Sequence, residues 1–376
     1  MEQKEKAILV GLNTSRLPGV DSTDETLDEL ESLLDTAGGE AMGRVLQNRD
    51  TPDPATFIGR GKVGEIKELA KDAGLVVFDA ELSPSQTRVL EKELEKPVID
   101  RSGLILDIFA KRAKTSEGKL QVELAQYQYL LPRLAGRGTT LSRLGGGIGT
   151  RGPGESKLET DRRHVRTRIR AVEQALERVK RQRLISRRQR ERRGTPVVSI
   201  VGYTNAGKST LFNILTDGAH ATEADRLFET LDTTARQCFL GQGRQIVLTD
   251  TVGFIRKLPT HLIRAFRATL EELADADLIL HVADGSRPDW RGQIGVCDPI
   301  IAELSGGTVP VLTVFNKQDL GFADDVPPEG AETVYVSAGR KTGLDRLKER
   351  IGAALFAATA DATASRTPGL NGDGMI

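Results

Sequence analysis

The residues whose types and order can do chemistry begin at Gly202. Gly202-Tyr203-Thr204-Asn205-Ala206-Gly207-Lys208-Ser209 fits G-x-x-x-x-G-K-[ST] without a mismatch. Before it, Pro196-Val197-Val198-Ser199-Ile200-Val201 reads as a buried β-strand, and Thr210 to Leu215 after it has helical spacing. A phosphate-binding loop needs this order of strand, glycine loop and helix. The glycines let the backbone wrap an anion with no Cβ in the way, and the amides of the loop and helix start point at it. Lys208 would neutralise the β- and γ-phosphates of a nucleotide, and Ser209 would ligate magnesium.

Three further elements follow in order. Gln245-Ile246-Val247-Leu248-Thr249-Asp250 is a strand ending in a carboxylate, which with Thr251, Val252 and Gly253 makes D-x-x-G. Asp250 would hold the magnesium through water, and the Gly253 amide would report the γ-phosphate. Next, the strand Val311 to Phe315 leads into Asn316-Lys317-Gln318-Asp319, an N-K-x-D. The Asp319 carboxylate accepts from N1–H and N2–H of guanine, which adenine does not offer, and a wrong base would leave that carboxylate unpaired. Asn316 would brace the pocket and Lys317 would lie along the base. Finally, Val334 to Val336 leads into Ser337-Ala338-Gly339, whose amides would bind guanine O6. The ordered set selects GTP over ATP and argues against a phosphotransferase. Between the loop and D-x-x-G, Phe228-Glu229-Thr230-Leu231-Asp232-Thr233-Thr234 should supply a switch threonine, with Thr230, Thr233 and Thr234 as candidates.

Several elements must position these residues. The chain has 376 residues, enough for two or three domains, and its 28% charged and 38% hydrophobic content is that of a soluble globular protein. No apolar run approaches the ~20 residues of a membrane span. The charged start, Met1-Glu2-Gln3-Lys4-Glu5-Lys6, is unlike a secretory signal. Two cysteines, Cys238 and Cys297, exclude a disulfide scaffold and suit a reducing cytosol, and the 4 histidines have no metal-ligand spacing. A cytoplasmic monomer is expected, with association at a membrane surface as the further option.

Residues 1–100 alternate strands (Lys6–Leu12, Gly74–Asp79) with helices (Thr26–Ala37, Lys62–Ala73), as in a small α/β domain with a parallel sheet. Gly59-Arg60-Gly61-Lys62-Val63-Gly64 lacks phosphate-loop spacing and reads as a turn and helix start. Residues 101–194 form a helical, coiled-coil-like arm, with helices over Leu104–Ala113 and Lys119–Leu131, the latter ended by Pro132. A glycine-rich stretch, 145–154, precedes a long helix from Glu155 to Arg193. Its stripe of Val165, Ile169, Val172, Leu176 and Val179 would pair with the 119–131 helix. Residues 195–358 are the nucleotide domain, and 359–376 are expected to be a disordered tail.

Net charge is zero, yet residues 161–193 hold 14 Lys/Arg against 4 Asp/Glu. A basic arm on an acidic body suits a polyanionic partner. Arg162, Arg163 and Arg166 on the helix, with Arg143 and Arg151 beside the glycines, are the candidate RNA contacts.

Two stretches give the chain a family resemblance. Asp250-Thr251-Val252-Gly253-Phe254-Ile255-Arg256-Lys257-Leu258-Pro259 resembles the signature of the HflX GTPases. So does Gly146-Gly147-Ile148-Gly149-Thr150-Arg151-Gly152-Pro153-Gly154-Glu155 with Leu158 to Arg163, which lies outside the nucleotide domain. The resemblance covers roughly residues 5–358. It implies an N-terminal α/β subdomain, a helical arm and a C-terminal P-loop, Ras-like G domain. It further implies binding to the large ribosomal subunit and splitting of stalled ribosomes under stress. The alternative reading is a GTP-gated rRNA-binding or assembly module whose hydrolysis is incidental. By the family pattern Thr230 is the magnesium threonine. Here Glu229 stands for a usual alanine, Thr233 and Ala235 for a usual proline and threonine, and Ser156-Lys157 for a usual Thr-Gln.

Phe254 follows D-x-x-G where many GTPases carry a water-orienting glutamine, so hydrolysis should be slow without a partner. Asn205 leaves two options open: a potassium ligand, as in loops of potassium-activated GTPases, or a loop asparagine bonded to its own backbone.

Overall fold

The computed structural model describes residues 4–14, 22–134, 153–216, 227–228, 234–241, 243–259, 262 and 273–364. The chain divides into two compact units.

The first unit contains Met1–Gln189 together with 224–232 and 254–269. Its sheet has four parallel strands in the order β2-β1-β3-β4. β1 (Glu5–Asn13) is central, and Ala7 to Leu12 are all buried, as a parallel strand covered on both faces requires. β2 is Gly39–Asn48, β3 Leu75–Phe78 and β4 Val98–Asp100. Crossover helices α1 (Asp24–Ala37), α2 (Arg60–Leu69) and α3 (Pro84–Leu94) alternate with the strands. Local chemistry sets the helix ends. Thr23 and Thr26 form a capping box on α1, and Ser83 and Gln86 form one on α3, where Pro84 occupies the first turn. Gly38 stops α1 in the left-handed conformation. The core includes Ile8, Val10, Leu12, Val76, Phe78, Ile66 and Leu90. The 59–64 stretch is, as expected, a helix start, with Gly59 before α2.

Three helices complete this unit: α4 (Arg101–Arg112), α5 (Ser116–Leu134) and α6, whose span is Pro153–Arg193. Pro132 does not end its helix. α5 runs to Leu134, and the Arg133 guanidinium donates to the Tyr129 carbonyl at 3.0 Å, so a carbonyl in the last turn finds a side-chain partner. On α6 the stripe is real. Val172 is buried and Val165, Ile169, Leu176 and Val179 are half-buried, while the residues between them, Ala175 apart, are exposed. Arg168 of α6 donates to Glu123 of α5 at 2.7 Å, which joins the two helices of the arm.

The second unit holds a six-stranded sheet in the order β10-β9-β8-β5-β7-β6. The strands are β5 (Val197–Gly202), β6 (Thr234–Gly241), β7 (Arg244–Asp250), β8 (Leu278–Asp284), β9 (Val311–Asn316) and β10 (Thr333–Tyr335). All pairings are parallel except β6 with β7. β5 lies between β7 and β8, so the strand order reverses there, and the ends of these strands frame the crevice where doubly wound sheets bind ligands. Helices α7 (Lys208–Leu215), α8 (Trp290–Ser305) and α9 (Leu344–Ala364) accompany them. The core includes Ile200, Leu211, Leu248, Leu280 and Val314. α9 extends into the span read as tail, because its Ala-rich end continues the helix to Ala364. The remainder, 365–376, lies outside the described residues.

Candidate nucleotide site

β5 ends at Gly202, where φ is +147° and a Cβ would lie 2.1 Å from the Val282 carbonyl oxygen of β8. Only glycine lets the chain leave the sheet there. Tyr203 to Gly207 form the loop, with Asn205 exposed and at φ 61°. Lys208 and Ser209 open α7. Lys208 is buried and donates to the Tyr203 carbonyl at 2.6 Å, so its ammonium lies within the loop's own curve. A γ-phosphate would compete with that carbonyl for the same donor.

D-x-x-G approaches from the neighbouring strand. Asp250, buried, ends β7 beside Ile200 of β5. The Thr251 hydroxyl donates to the Ile200 carbonyl at 2.7 Å, which fixes the turn after β7. A Cβ on Gly253 would meet Lys208 Nζ and Thr204 Cα, each at 2.9 Å. Gly253 therefore lies against the Tyr203–Lys208 loop.

The other two motifs are joined to the loop by one side chain. Asn316 is buried at the end of β9. Its Nδ2 donates to the Ala206 carbonyl at 2.9 Å, and its Oδ1 accepts from the Ala338 amide at 2.9 Å. A Cβ on Gly207, where φ is +88°, would come within 2.2 Å of that same Nδ2. The clasp explains both the asparagine and the glycine. Lys317 takes a left-handed φ of 65° and sends its ammonium to Asp284, 2.7 Å away at the end of β8. Gln318 donates its amide to the Val336 carbonyl at 3.2 Å. Asp319 is exposed, and its Oδ1 accepts from the Ser337 hydroxyl at 2.5 Å, which orients the carboxylate. Gly339 follows Ala338 in the same loop. Sequence reasoning missed Asp284 as the anchor of Lys317, although a carboxylate closing the buried strand Leu278–Asp284 was a readable signal.

Phe228 is buried, and its ring meets Phe109 of α4 edge-on at 4.8 Å. Glu229, Thr230, Leu231 and Asp232 lie outside the described residues, as do Arg143 and Arg151. Thr234, one of three candidate switch threonines, opens β6 opposite Asp250. On α6, Arg163 and Arg166 are exposed and Arg162 is half-buried. Cys297 is buried, which pushes its thiol up to about 12 and removes it as a nucleophile.

Comparison with known proteins agrees with this geometry. Three family models match in order: "GTP-binding GTPase N-terminal" over residues 24–110, "GTP-binding GTPase Middle Region" over 112–190 and "50S ribosome-binding GTPase" over 197–317. GTPase HflX of Caldanaerobacter subterraneus subsp. tengcongensis is 51% identical over 95% of this chain and 82% of its own length. The chain belongs to the HflX family of GTPases. Escherichia coli HflX is 46% identical over 91% of the chain and 81% of its own. Among solved structures, SsGBP in complex with GDP aligns at 25% identity and a TM-score of 0.52, covering 95% of this chain and all of that one. The α/β fold with an N-terminal domain, a helical region and a C-terminal GTPase domain is thus that of HflX GTPases. Among the described residues, no helix is long and apolar enough to cross a membrane.

Proposed function

We propose that this HflX GTPase binds the large ribosomal subunit through its arm, that nucleotide state gates the binding, and that it splits stalled ribosomes under stress. The observation that carries the reading is a basic helix outside the nucleotide domain, in a chain whose G domain matches a ribosome-binding GTPase model. Arg163 and Arg166 present exposed guanidinium groups, the chemistry that RNA phosphates select, and Arg162, Arg143 and Arg151 belong to the same footprint. The protein acts as a single chain in the cytosol.

The nucleotide contacts follow the motifs. Gly202 to Ser209 cradle the phosphates, Asp250 to Gly253 meet the γ-phosphate, and Asn316 to Asp319 with Ser337 to Gly339 receive guanine. The hydroxyl of Ser209 at a helix start and the buried carboxylate of Asp250 are hard oxygen donors, the set magnesium prefers. Ser209 and Thr230 would hold the ion directly and Asp250 through water. When bound it neutralises charge on the β- and γ-phosphates. Phe254 brings no group that orients water, so the ribosome completes the site. Asn205, exposed and left-handed, is placed to offer its oxygen to a potassium ion or to its own loop, and turnover in potassium against sodium separates the two.

Co-sedimentation with ribosomal subunits under GDP, GTP and a non-hydrolysable analogue tests the reading. We expect retention on the large subunit with the analogue, release with GDP, and turnover accelerated by large subunits. Splitting with the analogue alone would show that hydrolysis serves release. Equal turnover with and without subunits would sink the partner-completed site and favour the assembly-module alternative.

A further inference from the structure

Lys317 stands inside the guanine motif at φ 65°, a left-handed conformation that L side chains adopt only when held. Asp284, which closes β8 opposite Asn316 of β9, holds its side chain. Asp284 Oδ2 lies 2.7 Å from the Lys317 ammonium, and 6% of the Asp284 side chain is exposed. The carboxylate is itself pinned. Its Oδ1 accepts from the Ser286 amide at 3.1 Å and from the Ser286 hydroxyl at 2.6 Å. The turn that bears it is seated as well. The Gly285 amide donates to the Asn316 carbonyl at 3.1 Å, and the Gly285 carbonyl accepts from the Ala323 amide at 2.9 Å. A Cβ on Gly285 would stand 2.5 Å from the Phe322 ring, so that ring rests on the turn. Phe322 meets Tyr335 edge-on at 4.8 Å and Phe315 at 6.3 Å, and Trp290 meets Phe315 at 5.1 Å. The Trp290 indole donates to Asp325 at 2.8 Å, which ties down the chain beyond Phe322.

We propose that Asp284 is a positioning residue for guanine binding, one that fixes the Lys317 stem as a wall for the face of the base and thereby slows nucleotide release. The proposal rests on reading Asn316 to Asp319 as the guanine motif. A free lysine side chain samples many rotamers, and a ligand that packs on it must first order it. With its ammonium on a buried carboxylate, Lys317 is ordered before the base arrives. The cost of ordering then drops out of binding, and the gain appears mainly in dissociation. Asp284 and Asp319 thereby divide the task. Asp319 reads the N1 and N2 edge of the base. The Lys317 stem lies along its face, which guanine and hypoxanthine share.

The test measures affinity and dissociation rate of the full chain for GDP and for IDP, whose base lacks the 2-amino group. The variants are Asp284→Asn, Lys317→Met and the two combined. We expect Asp284→Asn to weaken GDP at least about fivefold, mainly through faster dissociation. A smaller loss overturns the proposal. The GDP-to-IDP affinity ratio should stay within about twofold of the parent in Asp284→Asn, whereas Asp319→Ala should shrink it. A ratio that shrinks in Asp284→Asn would put Asp284 to work at the base edge and overturn the proposal. The double variant should bind GDP within about twofold of Lys317→Met, because both changes break one pairing, whereas a general folding defect would add a further loss. Such a further loss overturns the proposal. If Asp284→Asn does not fold, Phe322→Leu, which loosens the turn beneath Asp284, takes its place and is judged by the same coupling to Lys317→Met. GDP bound no more tightly than ADP by the unaltered protein would overturn instead the reading of the guanine motif.

Discussion

Asn316 and Asp319 lie three residues apart in one motif and do different work. Asn316 is buried and satisfies two backbone groups, the Ala206 carbonyl and the Ala338 amide. Asn316→Ala would leave both without their partner, at a cost of about 1–3 kcal/mol each. It should lower the unfolding free energy by ~2–4 kcal/mol in denaturant titrations and weaken nucleotide binding as a consequence. Asp319 is exposed, and its carboxylate accepts from the Ser337 hydroxyl. Asp319→Ala should leave unfolding within ~0.5 kcal/mol of the parent while lowering guanine-nucleotide affinity by about two orders of magnitude, as measured with a fluorescent GDP analogue. If the two variants lose stability equally, the division between clasp and reader is wrong.

Among the elements, β8 carries a charge problem of its own. All seven of its residues are buried, and one is His281. Burial, and then the repulsion of Lys208, lower its imidazole to about 4. Asp298 of α8 stands 3.5 Å from Nδ1 but is mostly in water, so its attraction is screened and burial prevails. The unfolded chain takes up this proton near pH 6.5 and the folded chain only near pH 4. Stability from this group is therefore intact above about 6.5 and falls as pH drops toward 4, by up to about 3 kcal/mol. His281→Gln should remove that slope, seen as a smaller loss of unfolding free energy than the parent between pH 7 and 4. No alternation in Leu278-Ile279-Leu280-His281-Val282 announced a titrating side chain; a continuous buried run hides one. Elsewhere the elements were legible where their periods were long. β1, α1, α2 and the α6 stripe were all readable, and the strand–loop–helix around Gly202 was readable residue by residue. β2, α3 and β4 were missed. β2 mixes glycines and charges along an edge, and β4 is three residues, too short to show a period. Asp79, which accepts from Arg101 and from Lys257 at 2.7 Å each, was illegible as the centre of a charged cluster because folding alone brings positions so far apart together.

For the whole molecule the decisive quantity is how charge is distributed, because the total is zero. A neutral chain with evenly mixed charges would have little reason to approach RNA. Here residues 161–193 concentrate the cations, and their exposed members include Arg163, Arg166 and Arg170. Some neighbours are already engaged: Arg168 holds Glu123, and Arg166 lies 3.6 Å from Glu159. Exposed pairs of this kind contribute under about 1 kcal/mol and would yield readily to a phosphate. Each arginine that meets a phosphate releases a counterion, so binding should weaken steeply with salt, by about 0.7–0.9 in log–log slope per contact. Replacing Arg163, Arg166 and Arg170 together by glutamine should therefore flatten the salt dependence of large-subunit binding by ~2–3. GDP affinity of the free protein should not change, since none of the three belongs to the nucleotide motifs. Sedimentation titrations at several potassium chloride concentrations measure the slope. An unchanged slope would make α6 a solvated face and move the ribosome contact to another part of the chain, leaving the GTPase site as read.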